Sequence, residues 1–145
     1  MNANVKQAVP FLRVTDMQAS LHFYVEGLGF SVERYWVPEG DENYPSDGRI
    51  RWCWLVLGAA ALMLQEFIAQ HRPSGILGTG TSVSFVCDDA LALYRDFLSR
   101  GVQVRNRPRV GNGLWVVPLI DPDGYLLDFS SPTDAPEESE FEELS

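Results

Sequence analysis

The sequence has two cysteines and two histidines in 145 residues, and each shortage removes a class of function. Cys53 and Cys87 lie in apolar, strand-like segments with no histidine beside them in sequence. That pattern predicts buried free thiols rather than a disulfide or a catalytic nucleophile. His22 falls in a helical stretch and His71 in a Gly/Pro-rich linker, where they read as a helix-face and a loop side chain. Long apolar runs are also missing. The longest, Trp52 to Leu64, is broken at Gly58 and stops short of the ~18 residues a membrane helix needs. Met1 to Gln7 has no apolar core of a secretory leader, so the expectation is a cytoplasmic protein with no membrane partner. Basic excess is absent too. Eleven Lys and Arg face 20 Asp and Glu, without the basic stripe that nucleic acid demands. Six of those acids and none of the bases fall in residues 133–145, leaving 14 acids against 11 bases in residues 1–132. Most of the net charge of −9 is therefore a terminal feature, read as an acidic flexible tail that Phe141 and Leu144 can dock onto a neighbour.

What is present suits one globular domain. Hydrophobic residues make up 46% of the chain, enough for a core. Ala8–Val14 has strand character. Asp16 stands as a helix cap before Met17, Leu21, Tyr24, Val25 and Leu28 at helical spacing, and Gly27 and Gly29 end the helix. Phe30–Val37 reads as a strand, and Pro38–Gly48 as a polar loop with the length of a lid. Arg51–Leu57 and Ala61–Phe67 form a hairpin around Gly58-Ala59-Ala60, and residues 69–80 are a linker. The order then recurs. Thr81–Cys87 is a strand, and Asp88 or Asp89 caps a helix with Leu91, Tyr94, Phe97 and Leu98 on its apolar face. Gly101 stops that helix, Val102–Val104 starts a strand, and Leu114–Ile120 and Tyr125–Ser130 flank the turn Asp121-Pro122-Asp123-Gly124.

The recurrence is an internal repeat. A shift of 72 residues places Val14, Asp16, Leu21, Gly29 and Val32 on Val86, Asp88, Leu93, Gly101 and Val104. A shift of 63 places Leu57, Leu62 and Leu64 on Ile120, Tyr125 and Leu127. The expected organisation is a domain over residues 1–132, with units at about 8–67 and 81–131.

Val14-Thr15-Asp16, Phe23-Tyr24, Leu28-Gly29-Phe30 and Asp121-Pro122-Asp123-Gly124-Tyr125 resemble the signatures of the vicinal oxygen chelate superfamily. This is the glyoxalase, bleomycin-resistance and dioxygenase group, and the resemblance spans about residues 8–132. It implies an α+β fold of two tandem β-α-β-β-β units, half-barrels around a cleft, commonly in a homodimer. Metal-dependent members carry a ligand on the first and last strand of each unit. Here those positions fall on Val9, Gln65, Ser82 and Asp128, and only Asp128 is a strong donor. No metal and no cofactor are expected.

Strand alternation then sets a cleft face. Gln65 brings Met63 and Phe67 with it, and Asp128 brings Leu126 and Ser130. Pairing Ile120 with Tyr125 puts Val117 opposite Asp128 and Trp115 opposite Ser130; the repeat puts Trp54 opposite Gln65 and Trp52 opposite Phe67. The expected ligand-binding set is Trp52, Trp54, Met63, Gln65, Phe67, Trp115, Asp128 and Ser130, with a packed core as the competing reading of the tryptophans. Arg13 and Arg51 are candidates for an anionic ligand or plain strand ends. The resemblance and this face together imply a metal-free protein of the bleomycin-resistance type, sequestering an aromatic or cationic drug-like molecule. A lactoylglutathione-lyase-type or extradiol-dioxygenase-like enzyme is the alternative, and a regulatory domain working through its acidic tail is a third.

Overall fold

A computed structural model describes residues 3–142. The chain forms two compact units, Met1–Met17 with Phe30–Arg72, and Gln18–Gly29 with Pro73–Ser145. The sheet of the first unit holds β1 (Phe11–Val14), β2 (Ser31–Trp36), β3 (Trp52–Leu57) and β4 (Ala60–Glu66), in the order β1-β4-β3-β2. β1 runs parallel to β4, and the other pairs are antiparallel. The second unit repeats this plan with β5 (Ser82–Val86), β6 (Arg109–Gly111), β7 (Leu114–Ile120) and β8 (Leu126–Pro132), in the order β5-β8-β7-β6. Again the outer pair, β5 and β8, is the parallel one. Two copies of one strand order are what the repeat predicts. The helix of the first repeat, however, groups with the second sheet rather than with its own.

Alternation sorts the first sheet into two faces. Leu12, Val14, Cys53, Leu55, Leu62 and Leu64 are buried on one side. Cys53 lies 4.0 Å from the Met17 sulfur, and burial pushes its thiol up to about 11, so it stays a protonated packing group. The second sheet packs against α2 (Ala90–Ser99), which starts at Asp89, whose side chain accepts from the Ala92 N–H at 3.0 Å. Phe129 stacks on Phe85 with centroids 4.8 Å apart and meets Phe97 edge-on at 5.1 Å. Phe97 is fully buried in this cluster. Phe97→Ala is expected to cost about 3–5 kcal/mol, read as a shift in the urea midpoint, because it leaves a cavity beside the two remaining stacked rings, Phe85 and Phe129. A loss under ~1 kcal/mol would show that the cluster is not the core of the unit.

Three sequence expectations are corrected. The first helix is not uniform: α1 (Met17–Leu21) runs into a π-helical stretch, His22–Gly27, where the Leu28 N–H bonds back five residues to the Phe23 carbonyl at 3.0 Å. The strand expected to start at Val102–Val104 begins only at Arg109, immediately past Pro108, which has no N–H to give a ladder. The segment after Pro132 is not a free tail through residue 142. The Val110 N–H bonds to the Ser139 carbonyl, Glu138 N–H to Val110, and Phe141 N–H to Pro108, so the segment extends the edge at β6. The Phe141 ring meets Tyr94 and Trp115 edge-on at 6.1 and 6.0 Å, with Arg95 5.2 Å above it. An aromatic anchor and ladder bonds outweigh the acid-rich composition that reads as disorder. Leu144 lies outside the described residues.

Candidate functional site

The face of the first sheet opposite the buried leucines is aromatic. Register places Trp52 beside Gln65 and Trp36, and Trp54 beside Met63 and Arg34. On the outer strand Arg13 pairs with Gln65, and Phe11 with Met63. Trp52, Trp54, Met63 and Gln65 are all half-buried, so the face is neither a closed core nor a solvated surface. The Arg34 guanidinium sits 4.8 Å above the Trp54 ring, and Arg13 lies equally close to Phe11. Phe67 is one residue past β4, with its N–H on the Val14 carbonyl at 2.8 Å. The hairpin is two residues tighter in register than expected, because Leu57 pairs directly with Ala60. A slip of two keeps every side chain on its face, so these residues stay together.

One end of the face is closed by the loop between β2 and β3. The Asp41 carboxylate accepts the Asn43 and Tyr44 N–H groups, each at 2.8 Å, fixing a turn that projects Tyr44 inward. Tyr44 is buried, meets Trp36 edge-on at 5.6 Å, and its hydroxyl donates to the Glu66 carbonyl and accepts from the Gln65 amide at 3.4 Å. The loop is therefore pinned at Tyr44 and does not act there as a free lid. Beneath it Arg51 is 6% exposed and pairs with both Glu66 and Asp47. Arg51 is thus a buried structural cation, unavailable to a ligand. Phe11, Trp36, Arg34 and Tyr44 are residues that sequence reasoning left out of the face.

The second sheet separates its own predicted site residues. Asp128 lies beside Ser84, whose hydroxyl donates to it at 3.0 Å, and beside Pro118. Ser130 shares that face, buried between Val86 and Val116. Trp115 pairs with Ser131 instead of Ser130, and so points to the opposite face, against Phe141. The cause is the turn. Asp121 Oδ1 accepts the N–H groups of both Asp123 and Tyr125 at 2.9 Å, drawing Tyr125 into the loop, so Ile120 pairs with Leu126. A slip of one residue turns a strand over.

The family's metal-ligand positions offer few donors in this chain. Val9 precedes β1, Gln65 has the Arg13 cation as its register partner, and Ser82 pairs with Leu126. Among the described residues no three His, Cys, Asp or Glu side chains cluster as a metal site would require. His22 pairs with Glu26 at 2.5 Å and His71 is exposed. These residues do not fit the three strong donors of a catalytic metal centre.

Residues 5–129 match the sequence model described as the Glyoxalase/Bleomycin resistance protein/Dioxygenase superfamily. The chain belongs to this superfamily. Its two four-stranded units are the half-barrel units of that fold. Solved structures agree. A bleomycin-binding protein complexed with bleomycin is 24% identical with a TM-score of 0.63, covering 89% of this chain and all of its own. TnmS3, an antibiotic binding protein from Streptomyces sp. CB03234, is 21% identical with a TM-score of 0.63, covering 91% of this chain and all of its own. A lactoylglutathione lyase from Agrobacterium tumefaciens is 16% identical with a TM-score of 0.61, covering 89% and 96%. At these identities the likeness establishes the fold and leaves the activity to the residues. No curated protein matches the chain. Among the described residues no helix is long and apolar enough to cross a membrane.

Proposed function

We propose that this superfamily member is a metal-free binding protein that sequesters a planar aromatic small molecule. The observation that carries the reading is the aromatic face formed by half-buried Trp52, Trp54 and Met63 with the exposed Trp36 beside them, on a sheet where, among the described residues, no three His, Cys, Asp or Glu side chains come together. Flat rings of this kind take up another flat ring at little entropic cost, and a few polar groups fix its orientation. Gln65 and Arg34 supply those groups. Because Arg34 already covers Trp54, the face favours a neutral or anionic ring over a cationic one. The likeness to antibiotic-binding and bleomycin-binding proteins supports a drug-like ligand.

Calorimetric titration with planar tricyclic compounds (phenazine, acridine and anthraquinone) tests this. At least one is expected to bind saturably, and Trp54→Ala to weaken it about 30-fold, the effect of losing a central aromatic anchor. Absence of binding across the panel, or an unchanged affinity in folded Trp52→Ala and Trp54→Ala variants, would overturn the reading.

A further inference from the structure

The second unit carries a pocket that the aromatic face of the first does not explain. Its volume is about 450 Å³, within the range of small-molecule sites. Three segments of that unit wall it: the first helix at Ala19 to Gly27, the turn Arg100 to Gln103, and the end of β7 at Ile120 to Pro122. The surface is largely apolar, from Ala19, Phe23, Val102, Ile120 and Pro122. Ile120 is 43% exposed there, which is costly for a large aliphatic side chain unless something covers it.

The pocket is built by backbone as much as by side chains. The π-helical stretch supplies His22, Phe23 and Gly27 to its wall, and such distortions often mark functional positions. A Cβ on Gly27 would lie 2.9 Å from a Val102 methyl, so glycine lets helix and turn meet and close the floor. Gly101 adopts φ +82°, and a Cβ there would meet nothing, leaving the mouth open.

Apart from Asp121, its polar groups are His22, Arg100 and Gln103, none of them an acid. Arg100 holds Asp96 through Nε at 3.0 Å and reaches the Glu26 carbonyl through Nη1 at 3.4 Å, leaving Nη2 without a partner among the described residues. His22 uses Nδ1 on Glu26, and the Gln103 amide completes the rim. The lining has one acid, Asp121. Its oxygens are turned away onto the Tyr24 hydroxyl and the turn amides, and burial favours its neutral form. An apolar slot with one available guanidinium edge fits a ring carrying a single carboxylate. A free inorganic anion would leave the apolar wall bare, and a neutral ring would leave Arg100 unused.

We propose that this pocket binds a small aromatic carboxylate, its ring against Phe23, Val102 and Ile120 and its carboxylate on Arg100. This site is independent of the aromatic face in the first unit. The test is ¹⁵N-correlation NMR of the full chain with 2-naphthoate and its neutral isostere 2-naphthamide. 2-Naphthoate is expected to shift amides in residues 19–27, 100–103 and 120–121 saturably. The amide should bind about tenfold more weakly, and Arg100→Gln should bring the acid down to the same level, since a charge-assisted hydrogen bond is lost. Ala19→Phe should fill the pocket and abolish both, and Trp54→Ala should change neither. No saturable shifts at those residues, equal binding of acid and amide to the native chain, or an Arg100→Gln variant that binds as tightly would overturn the proposal. Shifts confined to β3 and β4 would overturn it while leaving the aromatic face standing.

Discussion

Replacing Glu66 with alanine is expected to destabilise the protein by about 3–5 kcal/mol, the largest loss of any single charge substitution in the first unit. Glu66 is 5% exposed at the end of β4 and does two things there. One oxygen pairs with the equally buried Arg51, and the other accepts the Met17 N–H at 2.9 Å. Removing it strands a guanidinium in a dry site, where Asp47 at 2.6 Å is the remaining partner, and leaves the first amide of α1 unsatisfied. A domain with about 5–15 kcal/mol in total has little margin for that loss. The double substitution Arg51→Met with Glu66→Leu should recover the part lost to the stranded guanidinium, because it removes both charges instead of one, and leave only the cost of the unsatisfied Met17 amide. Urea unfolding of the three proteins decides the matter. A single variant within ~1 kcal/mol of the native chain, or a double variant no better than the single, would show that the pair does not hold the hairpin.

The second large effect is expected at Asp121. Its side chain ties three groups together: the Tyr24 hydroxyl at 2.8 Å and the Asp123 and Tyr125 amides at 2.9 Å. Asp121→Ala removes this acceptor from all three and should cost about 2–4 kcal/mol, most of it from the buried Tyr24 hydroxyl and less from the part-buried turn amides. Asp121→Asn keeps one oxygen for the amides and should cost far less. The pair also has a pH signature. Burial, opposed by the three hydrogen bonds, leaves the Asp121 carboxyl above its ordinary value. A group whose folded value is raised stabilises the fold fully below its unfolded value, and that stability is lost as pH rises through the folded value. Asn does not titrate, so the native protein should gain on Asp121→Asn as pH falls toward and below the ordinary carboxylate range. Denaturant midpoints of the two proteins between pH 3 and 7 read this directly; a gap that is flat or widens with rising pH would refute it. Tyr24 shifts upward as well, from burial and the Asp121 charge, and stays protonated throughout that range.

Much of this was legible in the chain. Alternation in Trp52–Leu57 and Ala60–Glu66 fixed which residues share a face, and a register error of two did no harm because the strand period is two. The same reasoning failed at Trp115, where an error of one turned the side chain over. That error came from a single side chain, Asp121, whose bonds to Asp123 and Tyr125 lengthen the turn. Trp36 and Arg34 were missed because their place depends on the β2–β3 pairing and its bulge between Val32 and Arg34. Tyr44 left one signal, a lone aromatic in a loop of Pro, Gly, Asp and Glu, but its socket lies on β4.

The sequence by itself determined the repeat, the order of strands and helices, the superfamily, and that only Asp128 among the four family ligand positions is a strong donor. These follow from local period, turn chemistry and residue type, which are written along the chain. Only the tertiary structure decided which sheet the first helix joins, that Arg51 is buried and paired, that residues 133–142 dock through Phe141, and that a pocket opens beside Arg100. Each of these depends on contacts between residues far apart in the chain, such as Arg51 with Glu66 or Tyr24 with Asp121. Their energies belong to burial and to pair geometry, which no local pattern encodes.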